Sequence, residues 1–234
     1  MEYPIRINKY LRDKGLASRR EADKLVEDGL VFVNKKKAEN GMLVNESDKV
    51  EVRGKQKEYQ YIAYYKPRGL ATQDIKGKKS IISEWADKGL YPIGRLDKES
   101  EGLLLLTNDG RFAREVLSEK KEYEKEYVVT VKEPLRAGIP AIFKSGMKIK
   151  SFGNPRTKRA EQSSYDGKLL PAKAEIINRT TLRVVLNEGK RHQIRIMLSE
   201  LRYTITALKR VRIGDINLGN LKPRQTRPFT PTTQ

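Results

Sequence analysis

Two short helical patterns open the chain and precede two strand patterns. In IRINKYLRDKG the apolar residues recur on one helical face, and Gly15 follows as a C-terminal stop. In SRREADKLVEDG, Ser18 and Glu21 have the spacing of a capping box, and Ala22 and Val26 belong to an apolar stripe. The segments LVFVN and KVEVRG alternate between apolar and polar residues, as strands do. These patterns predict a compact module of helices and a small sheet.

A different pattern begins after the charged stretch RGKQKEYQ. QYIAYYKPRGLAT predicts a strand that runs into a turn, and SIISEWADKG predicts a helix. GRLDKESEGLLLLTNDGRFAREVL predicts a loop, a buried strand, a tight turn and a helix, which places Asp97 in the loop before the strand. EKEYVVTV and LRVVLNEG add strands, and RHQIRIML adds an amphipathic helix with Ile194, Met197 and Leu198 facing inward.

These elements predict an α+β fold with two domains, 1–57 and 58–234. The first domain is a small helical and stranded module. The second is built around one large antiparallel or mixed sheet, because strands and helices follow one another in mixed order.

The amino-acid composition indicates the kind of partner that the protein binds. The 234 residues include 49 Lys and Arg against 30 Asp and Glu, a formal net charge of +19. Residues 142–234 hold 20 basic and 6 acidic residues, whereas residues 1–57 hold 14 and 10. A basic surface can serve solubility alone, but an excess this uneven favours a face that follows phosphates.

Several classes of protein and site are disfavoured by the same composition. Cysteine is absent and His192 is the single histidine, so disulfides, thiolate metal sites and zinc or iron centres are not expected. The N-terminal segment lacks the apolar region of a signal peptide, and no stretch is long enough to span a membrane. We therefore expect a cytoplasmic protein that needs no metal.

The start of the second helical pattern carries charge of the unfavourable sign. Arg19 and Arg20 stand in its first turn, where positive charge opposes the helix dipole, and Lys24 follows on the exposed face. This placement indicates a helix start presented to phosphate. RINKYLRDKGLASRREADKLVEDGLVFVN resembles the S4 RNA-binding domain, with Lys35 where that family usually has Gly. The resemblance implies that these residues and the basic run from Lys35 to Lys37 hold RNA phosphates.

The second domain resembles a family of enzymes in several separate motifs. GRLDKESEGLLLLTNDG is similar to the catalytic motif of pseudouridine synthases of the RsuA type, and YYKPRG, KEYVVTV and EGKRHQIRIM resemble further motifs of that family. The last departs from the usual family wording at Arg191, His192 and Ile196, and its HQIR is closer to RluA-type relatives. The sequence around Tyr127 leans towards the RluF branch, which modifies large-subunit ribosomal RNA. The resemblance implies an S4 domain of the αL type followed by a catalytic domain with a central mixed, mainly antiparallel sheet.

The resemblance also implies roles for individual residues in turning uridine into pseudouridine. Asp97 would be the catalytic carboxylate, acting by attack at C1', addition at C6 or abstraction of the C2' proton. Arg195 would pair with Asp97, and Tyr127 would stack on the flipped uracil with its hydroxyl near the C5 proton. Arg95 is expected to brace the loop through backbone carbonyls, and a structural hydrogen bond is favoured for His192 over a general base. No cofactor is implied, because the reaction changes no oxidation state and loses no group.

The RNA partner and two rival functions complete the expectations. Further basic residues are expected to line the catalytic cleft, namely Lys190, Arg191, Arg210 and Arg212, and Arg95 is expected to contact RNA with them. Ile194 or Leu198 would wall the same pocket or belong to the core. The expected substrate is ribosomal RNA, 23S rather than 16S, or a subunit precursor, bound by a monomer. A non-catalytic ribosome assembly factor and a general S4-type RNA-binding protein or heat-shock translation factor are the alternatives.

Overall fold

The computed structural model describes residues 2–54, 58–74, 79–118, 123–148 and 169–231. Near the N-terminus, short strands and two helices form a small module. Its elements are β1 (Ile5–Arg6), α1 (Ile7–Asp13), α2 (Arg19–Glu27), β2 (Val31–Val33), β3 (Lys36–Lys37), β4 (Leu43–Val44) and β5 (Val50–Val52). The expected capping box is present, because the Ser18 side chain accepts from the Glu21 amide and the Glu21 carboxylate accepts from the Ser18 amide.

The small module has its own hydrophobic core and two small antiparallel sheets. Strands β3, β2 and β5 pair in that order, and β1 pairs with β4. Side chains from both helices, among them Leu11, Ala22 and Val26, pack with those of the strands. Asn34 and Lys35 connect β2 to β3 with φ of 49° and 68°. Lys35 thus adopts the left-handed conformation that glycine takes more cheaply, where the S4 resemblance leads one to expect glycine.

The remaining elements form a larger α+β unit. They are β6 (Tyr61–Lys66), α3 (Ile81–Trp85), β7 (Tyr91–Ile93), β8 (Glu101–Thr107), α4 (Gly110–Leu117), β9 (Lys125–Val131), α5 (Ile139–Ser145), β10 (Lys173–Asn178), β11 (Thr181–Leu186), α6 (Gln193–Glu200), β12 (Ile205–Ile213), β13 (Ile216–Asn217) and β14 (Thr226–Pro228). As expected, Ile194, Met197 and Leu198 of α6 are buried. The boundary expected near residue 57 falls at residues 55–57, which lie outside the described ranges.

One sheet organises this unit. Its strands follow the order β10, β11, β9, β12, β8, β6 and β14, with β13 added to β12 and β7 to β8. Every pairing is antiparallel except that of β12 with β8. The sheet is therefore mixed and mainly antiparallel, which confirms the fold class expected from the sequence. Strand β8, with Leu103, Leu104, Leu105 and Leu106 fully buried, is its central hydrophobic element.

The parallel contact between β8 and β12 is unusually close. Gly102 of β8 has φ of 106°, and a Cβ built on it would lie 2.3 Å from the carbonyl oxygen of Arg210 in β12. Only glycine allows this approach without moving one of the backbones. Because Asp97 precedes β8 and Arg210 is paired with Tyr127 of β9, this contact determines how close the two halves of the candidate site lie.

Helix α4 begins at a buried carboxylate that also joins the two parts of the chain. Asp109 accepts hydrogen bonds from the Tyr61 hydroxyl and from the Arg111 backbone and guanidinium, each at 2.9 Å. Burial alone raises the pKa of Asp109, but the hydrogen bonds from Arg111 and Tyr61 outweigh it and leave that pKa below its ordinary value. The Arg111 guanidinium also donates to the carbonyl oxygen of Gly15, at 3.2 Å, and so contacts the small module. No helix in the described ranges is long and apolar enough to cross a membrane.

Candidate active site

The loop between β7 and β8 holds Asp97 at a defined position. Leu96, the residue before it, is buried, and both of its backbone polar groups bond to Thr72. The Thr72 hydroxyl donates to the Leu96 carbonyl oxygen at 2.7 Å and accepts from the Leu96 amide at 3.1 Å. On the other side, the Ser100 amide donates to the Asp97 carbonyl oxygen at 3.0 Å. The backbone around Asp97 is therefore held on both sides, while its side chain remains one-third exposed.

A buried lysine ties this loop to the turn after β6. The ammonium group of Lys66, a residue with no exposed surface, donates to the carbonyl oxygens of Pro67 at 2.9 Å and Leu70 at 2.6 Å, with that of Lys98 at 3.5 Å. Its burial lowers the pKa of Lys66 to about 8, although the negative charge of Asp97 acts in the opposite direction. The KPRG turn, whose Gly69 amide also donates to the Lys98 carbonyl oxygen, is thus a support of the Asp97 loop.

Two cationic or titratable side chains from the α6 region contact the Asp97 carboxylate. Nδ1 of His192 lies 3.1 Å from Oδ2 of Asp97, and Nε of Arg195 lies 3.7 Å from the same oxygen. His192 precedes α6 with φ of 56°, an uncommon conformation for a residue other than glycine. The sequence predicted a hydrogen bond for this histidine, and the structure identifies the candidate catalytic carboxylate as its neighbour.

Arg195 is held more tightly by the loop than by the carboxylate itself. Its Nη2 donates to the hydroxyl of the buried Ser100 at 2.9 Å and to the carbonyl oxygen of Glu99 at 3.0 Å. These two bonds orient the guanidinium, and Nε then faces Asp97 at the longer distance of 3.7 Å. The positive charge beside Asp97 is therefore fixed in place, as the charged form of a carboxylate requires.

Tyr127 lines a cavity together with this cluster. The residue belongs to β9, is half-buried, and packs partly against the main core. The cavity measures about 310 Å³ and has a largely apolar wall that includes Leu186, Leu208 and Ile213. It brings together eight residues singled out in the sequence, which are Arg95, Asp97, Tyr127, Lys190, Arg191, His192, Arg195 and Arg210. Ile194 also lines it, whereas Leu198 is fully buried in the core.

The structure corrects the expectations for Arg95 and Arg212. The Arg95 guanidinium donates to the side chain of Gln73 at 3.0 Å rather than to backbone carbonyls. Arg212, expected in the cleft beside Arg210, does not line the cavity and instead pairs with Glu126 and Glu124. An irregularity of register between Arg210 and Arg212 is the physical reason, because an extra residue turns Arg212 to the face of β9 opposite Tyr127.

Arg210 is a buried support of the loop and not an exposed phosphate contact. Only 5% of its surface is exposed, Nε donates to the Leu103 carbonyl oxygen at 2.7 Å, and Nη1 lies 3.5 Å from the Arg95 carbonyl oxygen. Its Nη2 is buried and has no hydrogen-bond partner. The brace expected of the Arg95 side chain is therefore made through the Arg95 backbone by Arg210.

Sequence reasoning missed Lys125 as a residue of the cavity. Lys125 lines the cavity two residues before Tyr127, and the K-x-Y spacing in a strand could have placed both on one face. The residues Arg19, Arg20, Lys24 and Lys35 are all exposed on the small module. Lys190 pairs with Glu188 at 2.6 Å. Within the described ranges, no cluster of three or more His, Asp or Glu side chains could hold a metal ion.

Comparison with protein families and known proteins identifies two families that match this chain. Residues 60–200 match the family described as RNA pseudouridylate synthase, and residues 5–50 match the S4 domain. "Ribosomal large subunit pseudouridine synthase B" of Bacillus subtilis is 36% identical, over 97% of this chain and 92% of that protein. "Dual-specificity RNA pseudouridine synthase RluF" of Escherichia coli is 31% identical, over 97% of this chain and 76% of that protein.

A solved structure is similar over nearly its whole length. It is described as a crystal structure of pseudouridylate synthase, has a TM-score of 0.68 and 26% identity, and is matched over 97% of this chain and 96% of that one. The family match spans more than half of the chain and includes Asp97, Tyr127 and Arg195. The chain therefore belongs to the RNA pseudouridylate synthase family, with an S4 domain in front of the catalytic domain.

Proposed function

We propose that this enzyme isomerises specific uridines to pseudouridine in 23S ribosomal RNA, with Asp97 as the catalytic carboxylate. The observation that carries the assignment is the position of Asp97. Its partly exposed carboxylate lies 3.7 Å from the Arg195 guanidinium, at a cavity of about 310 Å³ that Tyr127 also lines. We also propose that residues 1–57 form the S4 domain and residues 58–234 the catalytic domain, consistent with the separate hydrophobic cores.

The reaction requires a carboxylate that is ionised and within reach of the nucleotide. The bond between ribose C1' and uracil N1 breaks, the base rotates, and C5 forms the new bond to C1' while the C5 proton is released. Asp97 serves by attacking C1', by adding to C6 or by removing the C2' proton, and each route begins from the ionised form. Arg195 supports that form because its guanidinium is held beside the carboxylate by Ser100 and Glu99.

Tyr127 is proposed to hold the extruded base. Tyr127 and Asp97 line the same cavity. A uracil stacked on the Tyr127 ring would present its ribose to the carboxylate. Stacking of a base on an aromatic ring contributes about 1 to 3 kcal/mol, which offsets part of the few kcal/mol lost when the base leaves the RNA. The Tyr127 hydroxyl is then available to assist removal of the C5 proton after the base has rotated.

Binding of RNA is proposed to be divided between the two domains. Arg19, Arg20, Lys24 and Lys35 are exposed and hold phosphates away from the cavity, whereas Arg191 lies at the cavity itself. The large-subunit target is supported by the name of the Bacillus subtilis relative, which is 36% identical. We propose that the enzyme acts as a monomer and in the cytoplasm.

Release of tritium from RNA labelled at uracil C5 tests the function directly. We expect release from 23S transcripts with the wild type, with no release by Asp97→Asn and unchanged RNA affinity. Asp87→Asn is the matched control, because Asp87 is an exposed carboxylate of the same domain outside the cavity. RNA binding without release from transcripts or from precursor subunits would refute the proposal and favour an assembly factor. Release by Asp97→Asn at the wild-type rate would refute the role of Asp97.

A further inference from the structure

Two positive charges at the cavity have no role in the proposed chemistry so far. Lys125 belongs to β9 and Arg210 to the neighbouring strand β12, where Arg210 is the register partner of Tyr127. Both residues line the cavity. Lys125 is two residues from Tyr127 and therefore on the same face of β9. Its partners in the sheet register are Ile213 and Leu186, two buried residues that also line the cavity. The ammonium group thus belongs to an apolar part of the wall.

Neither charge is fully satisfied within the protein. In the described ranges, Lys125 has no side-chain hydrogen bond or ion pair, and the buried Nη2 of Arg210 has no partner. Burial lowers the pKa of Lys125, and the positive charge of Arg210 lowers it further. Buried polar groups are otherwise almost always paired, because an unpaired donor away from water is costly. The Lys125 ammonium group, a partly desolvated donor without a partner at the cavity wall, points to a ligand that supplies the acceptor.

The position of this donor favours the base over a phosphate as that ligand. Lys125 lies on the same face of β9 as Tyr127, between the cavity-lining residues Ile213 and Leu186 of the two neighbouring strands. The phosphates of a flipped nucleotide remain part of the RNA strand. Arg191, which is exposed, is the residue available to contact them. The acceptors that uracil offers at its edge are its two carbonyl oxygens.

We propose that the Lys125 ammonium group donates a hydrogen bond to a carbonyl oxygen of the uracil ring held by Tyr127. The inference rests on the proposed function. When the bond from C1' to N1 breaks, its electron pair stays on the base and spreads over the ring and its carbonyl oxygens. Lys125 stabilises that charge and keeps its proton. The pair returns to C1' as the bond from C5 forms, the C5 proton then leaves to a base, and N1 takes up a proton to give neutral pseudouridine.

Substitution of Lys125 by methionine tests this role, because methionine keeps the length and apolar stem of the side chain but has no charge or donor. We expect single-turnover tritium release to fall by about 10²-fold to 10³-fold, the usual loss for one donor to a developing negative charge. RNA affinity and its dependence on salt should remain those of the wild type. The melting temperature should be unchanged or higher, because an unpaired desolvated charge is removed. Lys132→Met, one residue beyond β9 and exposed, is the matched control.

Each other result decides against the inference. Weaker RNA binding with a salt slope lower by about 1, and a normal rate at saturating RNA, would show a phosphate contact instead. If the wild type is active and Lys125→Met releases tritium at the same rate, this inference alone is overturned. If the wild type releases no tritium, the proposed function is overturned and the inference with it. If Lys125→Met does not fold, Lys125→Gln is measured in the same way, and a wild-type rate in that variant would overturn the role of the charge.

Discussion

Replacement of Gly102 by alanine is expected to damage both the stability and the active site of this enzyme. Gly102 is paired with Arg210 across the parallel contact of β8 and β12, and its φ of 106° is one that other residues rarely adopt. A Cβ at this position would lie 2.3 Å from the Arg210 carbonyl oxygen and 2.8 Å from the Arg210 amide nitrogen. Both are backbone atoms, so no side-chain rotation can relieve the contact.

The expected cost has two parts. The unfavourable φ contributes about 1 to 3 kcal/mol, and the overpacked contact contributes about 1 to 3 kcal/mol more. The free energy of unfolding should therefore fall by about 2 to 6 kcal/mol, which for a protein of this size lowers the melting temperature by at least about 4 °C. Ordinary contacts of a Cβ begin at 3.4 Å, so the strands must separate by about 1 Å.

This separation reaches the candidate site because Gly102 follows the Asp97 loop and Arg210 pairs with Tyr127. A misplacement of about 1 Å between the carboxylate and the base is expected to reduce the single-turnover rate by about 10²-fold. The measurements are thermal unfolding followed by circular dichroism, and tritium release at a temperature where the variant is folded.

Gly89→Ala is the matched control for this experiment. Gly89 also has a positive φ, of 66°, but a Cβ built on it meets no atom within 4 Å. The control therefore suffers the conformational strain without the backbone collision, and its isomerisation rate should be that of the wild type. Equal melting temperatures and equal rates for the two variants would refute the argument that the approach of β12 requires Gly102.

Three further outcomes are expected. Arg195→Lys should reduce single-turnover tritium release by at least about tenfold with little change in RNA affinity, because lysine keeps the charge but cannot also bond Ser100; a wild-type rate would contradict this. Asp109→Asn should lower the free energy of unfolding by about 1.5 to 3 kcal/mol at neutral pH, measured by urea denaturation. The pKa of the Asp109 carboxyl is lowered in the folded protein, so its contribution to the free energy of unfolding is complete above the unfolded pKa of about 4. This contribution is lost as the pH falls below that value, and the destabilisation by Asp109→Asn should therefore be smaller at about pH 3. RNA affinity should fall steeply with salt, and replacing both Arg19 and Arg20 by glutamine should reduce the salt slope by about 2 in filter binding.

Local features of the fold were accessible from the sequence because they depend on neighbours in the chain. The capping box of Ser18 and Glu21 and the inward face of α6 follow from helical spacing, and both are confirmed. The loop position of Asp97 followed from a turn-rich segment before a continuous apolar strand. In each case the deciding contacts lie within one element or between elements that are adjacent in sequence.

Which face of the large sheet each side chain occupies could not be predicted in this way from the sequence. Alternation along β12 would put Arg210 and Arg212 on one face, and only the irregular register against β9 separates them. The partner of Arg95 is Gln73, which is 22 residues away in the chain and belongs to no motif. Lys125 is an ordinary strand lysine until the packing of Ile213 and Leu186 makes its surroundings apolar. Contacts over long sequence separations decide all three.

The basic residues near the cavity form two groups, those whose donors are hydrogen-bonded within the protein and those with a donor that has no partner in the described ranges. All the carbonyl oxygens that Lys66 contacts are backbone atoms, and two donors of Arg210 likewise face backbone carbonyls, so these groups hold the Asp97 loop at the expense of burying charge. Lys125 lines the cavity, and its side chain bonds nothing in the described part of the protein. Loss of a satisfied donor leaves a carbonyl unpaired and lowers stability, whereas loss of an unsatisfied one relieves a cost of desolvation. Replacing a cation of the first kind should therefore lower the free energy of unfolding. Replacing one of the second kind should affect only the reaction with the base bound in the cavity.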